Sequence, residues 1–160
     1  MTIYILTTGG TIDKVYFDKK SDYEVGDPQA DSVLKRANVT VSYTVKSLMR
    51  KDSIEMTDED RRAICDAVKS VSSDKIVITH GTDTMIETAM MLAGIAGKTI
   101  VMTGSMYPAG FHDSDAVFNI GSALTAVQIL PPGVYITMNG RVFNPAAARK
   151  NRIQNCFEEI

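Results

Sequence analysis

Residues 3–12 read IYILTTGGTI. The apolar run Ile3 to Leu6 stops at threonines and a glycine pair, which is how a short buried strand ends. Residues 75–85, KIVITHGTDTM, repeat the design: an apolar run, then a glycine beside threonines. Further strand-like runs lie at 40–46, 99–103 and 133–138. Helical patterns fill the gaps. DPQADSVLKRAN places Asp27 at an N-cap, Pro28 at the first helical position and Asn38 at the stop. Thr57 begins a second helix, with acids in its first turn and Ala63, Ile64, Ala67, Val68 and Val71 at helical spacing. The stretch 85–97 is apolar almost all round, which predicts a buried helix stopped by Gly97. Asp115 caps a fourth helix carrying Ala116, Val117, Ile120, Ala123, Leu124 and Val127 on one side. Strands alternating with helices predict an α/β fold: three α/β/α layers around a mainly parallel, flavodoxin-like (Rossmann-like) sheet. Right-handed crossovers put every strand-to-helix turn at one edge, where such sheets bind ligands. The two threonine-glycine turns therefore face one crevice.

The composition fits that fold. A length of 160 residues suits one α/β domain, and 44% apolar residues supply a core. A net charge of −2 gives no electrostatic case for nucleic acid. Cys65 and Cys156 make neither a disulfide framework nor a metal set, and Cys65 reads as a small core residue. No basic segment precedes a long apolar run, and no apolar run approaches the roughly 18 residues of a membrane span. A soluble, reduced, cytoplasmic protein with no membrane contact is expected. The stretch 12–26 lacks periodicity, is rich in charge, and carries Tyr16, Phe17 and Tyr23. It reads as a surface loop or small hairpin pinned by an aromatic, or as a lid bringing a tyrosine over the crevice.

The turns themselves have chemistry. Gly9 and Gly10 let backbone approach a ligand, and their amides suit an anion or oxyanion. Thr11 adds a hydroxyl at the same place. No G-x-G-x-x-G or P-loop pattern occurs, so nucleotide binding gains no support. Asp83 stands where a helix N-cap would. His80 and His112 have no evident carboxylate partner and receive no role.

Taken together, TGGTI and HGTDT resemble the L-asparaginase/glutaminase family with threonine nucleophiles. The resemblance continues through DSIEMT at 52–57, VMTGSMYP at 101–108, SDAVFNI at 114–120 and ITMNGRVFNPAAARKN at 136–151, in the family's order. It implies that Thr11 is the nucleophile, that Tyr16 (or Tyr23) is the lid tyrosine, and that Ser53 holds the substrate's α-carboxylate. It further implies that Thr82, Asp83 and Lys150 form a Thr-Lys-Asp group, with Asp83 touching the α-ammonium. Gly10 and Gly81 line the substrate by their backbone, and Ser105 stands where family members often have Ala. Ile54 replaces a polar Gln of longer members. The bland alternative for Lys150 is a solvated basic stretch shared with Arg149 and Arg152.

The resemblance implies hydrolysis of L-asparagine to L-aspartate and ammonia through an acyl-enzyme, with no cofactor and no metal. A homo-oligomer is expected. The chain looks like the family's short members: a single domain over 1–160, without the C-terminal domain of longer ones. An ammonia-releasing amidotransferase component and a non-catalytic amino acid sensor are the alternatives. Ammonia release on asparagine separates the sensor from the enzymes.

Overall fold

A computed structural model describes residues 1–160. Strand β1 (Ile3–Gly9) leads through a 3-10 turn, Thr11–Asp13, into a hairpin of β2 (Lys14–Phe17) and β3 (Asp22–Val25). Then follow α1 (Ala30–Arg36), β4 (Tyr43–Lys51), the 3-10 turn Ser53–Glu55, α2 (Asp58–Ser70), β5 (Lys75–Thr79) and α3 (Met85–Leu92). The chain continues with β6 (Thr99–Thr103), α4 (Ala116–Ile129), β7 (Gly133–Met138), β8 (Arg141–Phe143), β9 (Ala148–Asn151) and β10 (Cys156–Glu159). The central sheet runs β4-β1-β5-β6-β7-β8; all pairs are parallel except the last. Among the parallel strands this is the 2-1-3-4-5 order expected of a flavodoxin-like sheet.

Alternation along the strands sends side chains to two cores. Ile3, Ile5, Val77 and Val101 pack with Val33, Leu34, Ile120 and Val127 on the α1/α4 face. Leu6, Ile78, Met102 and Ile136 pack with Ile64, Val68, Met85 and Leu92 on the α2/α3 face. Each such fully buried aliphatic side chain contributes about 1.5–3 kcal/mol of transfer free energy. The start of α2 is held by a reciprocal pair. The Asp60 N–H donates to Thr57 Oγ1 at 3.2 Å, and the Thr57 N–H donates to the Asp60 carboxylate at 2.8 Å. Such a cap stabilises a helix by about 1 kcal/mol.

Several boundaries differ from expectation. Helix α1 starts at Ala30, and Asp27 does not cap it: its carboxylate pairs with Arg50 at 2.8 Å. The amide of Gln29 donates instead to Asp13 Oδ1 at 2.9 Å, so a buried residue distant in sequence supplies the acceptor. Strand β4 reaches Lys51, well beyond 46, because it is the polar edge strand and carries no continuous apolar run. Helix α3 ends at Leu92, and Met90 and Met91 face solvent, so that helix is buried on one side only. Asp115 precedes α4 but turns its carboxylate to the amides of Met106 and Tyr107. Stretch 12–26 is the β2/β3 hairpin, reversing at Ser21 with φ 50°. No helix is long and apolar enough to cross a membrane.

Candidate active site

In a 2-1-3-4-5 sheet the strand order reverses between the first and third parallel strands, here β1 and β5, and the crevice opens at their carboxyl ends. The turns carrying Thr11 and Thr82 leave these two strands. They touch backbone to backbone. Gly10 has φ 88°, and a Cβ there would lie 2.5 Å from the Gly81 nitrogen and Cα. A Cβ on Gly81 would lie 2.6 Å from the side chain of Ser53. Only glycine fits either position, so TGG, HGT and the Ser53 turn form one floor. Thr11 opens its 3-10 turn at the edge of that floor, partly exposed.

Lys150 reaches the floor from β9. Its ammonium donates to Thr82 Oγ1 at 2.7 Å and to Asp83 Oδ1 at 3.0 Å. The Lys150 and Asp83 side chains are only 16% and 21% exposed, so water screens them less than a surface pair. Because the ammonium fills one lone pair of the Thr82 oxygen, that hydroxyl's proton remains free to donate elsewhere. Asp83 therefore serves the lysine rather than the end of α3, whose N-cap position is Thr84. The solvated-stretch alternative fails for Lys150 alone: Arg149 and Arg152 stay mostly exposed, Arg149 pairing with Glu158 at 2.7 Å and Arg152 reaching Asp83 Oδ1 at 2.6 Å. Arg152 at the site was not anticipated; it stands in the turn of the β9/β10 hairpin and pairs with an aspartate far away in sequence.

The other expected residues divide. Ser53 is buried, its Oγ accepting the Thr84 amide at 3.3 Å while its carbonyl accepts the Thr84 hydroxyl at 2.8 Å. Ser105 is buried too, but its hydroxyl donates to the Tyr107 carbonyl within its own loop, which commits its proton away from the crevice. Tyr16 and Tyr23 stand opposite each other in the hairpin, rings 5.5 Å apart edge to face, and Tyr23 packs on Phe111 at 5.7 Å. Both remain about half exposed. The hairpin base is tied to the floor by Lys14, 2.8 Å from Asp52, which directly precedes Ser53.

Two buried ionisable groups lie against the turns. His80 is fully buried. Its Nδ1 sits 2.7 Å from the Gly81 carbonyl and its Nε2 2.8 Å from Thr88 Oγ1, which also receives Arg61 Nε at 3.2 Å. Since a carbonyl can only accept, Nδ1 carries a proton. Burial drives its pKa down to about 4. Asp13, two residues past Thr11, is 2% exposed, and burial pushes its carboxyl up to about 6 against the pull of the Gln29 amide and Arg50. Neither role was legible in the sequence; an aspartate after Thr11-Ile12 looks like any turn residue.

The family model described as "Asparaginase, N-terminal" matches residues 2–158. The glutaminase-asparaginase of Acinetobacter glutaminasificans is 31% identical over 155 residues, covering 88% of this chain and 47% of its own. The L-asparaginase of Thermococcus kodakarensis is 31% identical over 153 residues, 89% of this chain and 45% of its own. The solved structure of the thermostable L-asparaginase from Thermococcus kodakarensis superposes with a TM-score of 0.86 at 29% identity, over 100% of this chain and 51% of that one. The chain spans about half the length of the relatives it matches. A match over nearly every residue, on a fold whose threonine turns meet at the sheet's switch point, leaves one assignment: the chain belongs to the asparaginase family.

Proposed function

We propose that this protein is an amidohydrolase that releases ammonia from the side-chain amide of asparagine, with Thr11 as nucleophile. One observation carries the reading: Lys150, Thr82 and Asp83 are joined by short hydrogen bonds on the same glycine floor that presents Thr11. A threonine hydroxyl is a weak nucleophile and needs a proton acceptor beside it. Lys150 acting through the Thr82 hydroxyl, or the tyrosine of the β2/β3 hairpin, would supply that path. Thr11 Oγ adds to the amide carbon, and amides around Gly10 and Thr82 receive the oxyanion. The C–N bond then breaks, ammonia leaves with the transferred proton, and water hydrolyses the Thr11 ester to the free carboxylate. Ser53 would hold the substrate's own carboxylate. A homo-oligomer is part of the proposal, supported by the exposed apolar residues Val117, Phe118 and Ile129 of α4, and sedimentation would test it.

The test is coupled ammonia release from asparagine and glutamine. Thr11→Val keeps the β-branched shape and removes only the hydroxyl. It should lower turnover by several orders of magnitude, with about 1 kcal/mol or less of stability lost. Retention of a tenth of wild-type activity would show that another group attacks.

A further inference from the structure

The outer part of the β2/β3 hairpin has a single hydrogen-bonded, ionic or aromatic tie to the rest of the chain. Between residues 16 and 24 the polar ties stay inside the hairpin: Lys20 bonds to Glu24 at 2.6 Å, and the Tyr23 amide donates to Asp22 at 2.7 Å. The exception is aromatic. Tyr23 packs edge to face on Phe111, with ring centres 5.7 Å apart, and Tyr16 packs on Tyr23 at 5.5 Å. Phe111 is a fixed point. Its N–H donates to the Pro108 carbonyl at 3.0 Å, and its carbonyl accepts the Ser114 N–H at 3.1 Å. The segment 104–111 that carries it borders both threonine turns. At its start, a Cβ on Gly104 would collide with the His80 carbonyl. Its middle is moored by Asp115, whose carboxylate accepts the Met106 and Tyr107 amides at 2.9 and 3.1 Å. Near its end, the Ala109 N–H donates at 3.0 Å to the carbonyl of Ile12, the residue after Thr11. The ring at 111 therefore sets where a hairpin tyrosine stands relative to the nucleophile turn.

We propose that Phe111 is a positioning residue: its ring seats Tyr23, and so selects Tyr23 over Tyr16 as the tyrosine brought to Thr11. The inference rests on the amidohydrolase reading above and adds to it a residue outside both threonine turns. The stack has an order, Phe111 then Tyr23 then Tyr16, so Tyr23 is the ring tied to the segment that touches the Thr11 turn. An edge-to-face pair prefers a defined angle as well as a distance, whereas an aliphatic side chain only covers the ring. That angle matters because proton transfer needs the two oxygens within about 3 Å of each other. Without the ring, the hairpin is held at its base alone and Tyr23 leaves that reach. Phe111 is itself 38% exposed, so replacing it opens no core cavity.

The experiment measures ammonia release from L-asparagine by the purified chain, with kcat and KM taken separately and Thr11→Val as the blank. Phe111→Ala should lower kcat about tenfold and change KM less than about threefold, because the floor of Gly10, Ser53 and Gly81 is untouched. Phe111→Tyr keeps the ring and should restore at least about half of the wild-type kcat; Phe111→Leu keeps only apolar bulk and should not. Two backgrounds separate a seat for Tyr23 from a general scaffold. In Tyr23→Phe, which keeps the ring and removes the hydroxyl, Phe111→Ala should cost less than about twofold more; in Tyr16→Phe it should still cost about tenfold. Limited proteolysis reads the seat without activity: cleavage within residues 18–21 should be faster in Phe111→Ala and normal in Phe111→Tyr. Wild-type kcat in Phe111→Ala, or the full loss persisting in Tyr23→Phe, would overturn the inference and leave the amidohydrolase reading standing. An absence of Thr11-dependent ammonia from the wild type would overturn that reading, and the cleavage comparison alone would then decide whether Phe111 holds the hairpin.

Discussion

Lys150 has a bond to each partner that geometry allows, and this makes its replacement informative. The ammonium donates to Thr82 Oγ1 and Asp83 Oδ1, while 84% of its side chain is out of water, given an exposure of 16%. Lys150→Met keeps the stem and removes the charge. Lys150→Arg keeps the charge but replaces a point donor with a planar fork too wide for a 2.7 Å and a 3.0 Å contact made from one nitrogen. Each should lower kcat/KM on the order of a hundredfold, about 2.7 kcal/mol of transition-state stabilisation. Arg149→Met, whose partner is Glu158, should change kcat/KM less than about threefold, since exposed pairs contribute little. Near-wild-type kinetics in Lys150→Met would remove lysine from the proton path. Thr11, Thr82 and Asp83 were legible because each sits in a short motif directly after a buried strand. Arg152 was not, since Arg-Lys-Asn-Arg reads the same whether it is solvated or folded onto an aspartate. That distinction is made by the β9/β10 hairpin, whose turn holds Arg152 2.6 Å from Asp83.

The same contrast governs the elements. Strands β5, β6 and β7 coincide with their apolar runs, because strands flanked on both sides within a covered parallel sheet must be apolar on both faces. Strands β4 and β8 and the two-stranded pairs β2/β3 and β9/β10 were harder: one or both sides face water, so their residues alternate weakly or not at all. The β2/β3 hairpin is the functional case. It is fastened at its base, where the Gly26 amide donates to the Asp13 carbonyl at 2.8 Å and Lys14 pairs with Asp52. Its tip, Asp18–Lys20, is exposed and rests on no core residue. A hairpin with a fixed base and a free tip can close over the crevice and carry Tyr16 or Tyr23 with it. Tyr16→Phe should lower kcat at least about tenfold if its hydroxyl moves the proton, and Tyr23→Phe should do so if the role is Tyr23's. Limited proteolysis gives an independent reading. Cleavage within residues 18–21 should slow when aspartate is present, and equal cleavage with and without it would argue against closure.

At the scale of the molecule, the switch point brings buried charge chemistry next to the site, and this shapes stability against pH. His80 is held neutral: its pKa falls from an ordinary 6.5 to about 4 on folding, mainly through burial. As pH drops from 6.5 towards 4, the unfolded chain takes up a proton that the folded one refuses, so this group lowers stability with acid. Asp13 works the other way. Burial raises its pKa from 3.8 to about 6, so as pH drops through 6 the folded chain takes up a proton that the unfolded one does not, and stability rises with acid. Above pH 6 Asp13 is a buried charge with Arg50 as its cationic neighbour, and it costs stability. Between about pH 4 and 6 the contributions of these two groups oppose each other. Asp13→Asn separates them. The amide oxygen still accepts from Gln29, while the titration is gone. The variant should be more stable than the wild type at pH 7.5, on the order of 1–3 kcal/mol, and the advantage should vanish near pH 4. With His80 unopposed, the variant's stability should climb between pH 4 and 6.5. Exposed carboxylates such as Asp60 and Glu158 titrate alike in both proteins and cancel from the difference. Urea unfolding at pH 4.5, 6 and 7.5 measures it. A difference between Asp13→Asn and wild type that does not change with pH would mean that Asp13 is ionised throughout, and that the Thr11 turn is wetter than its burial implies.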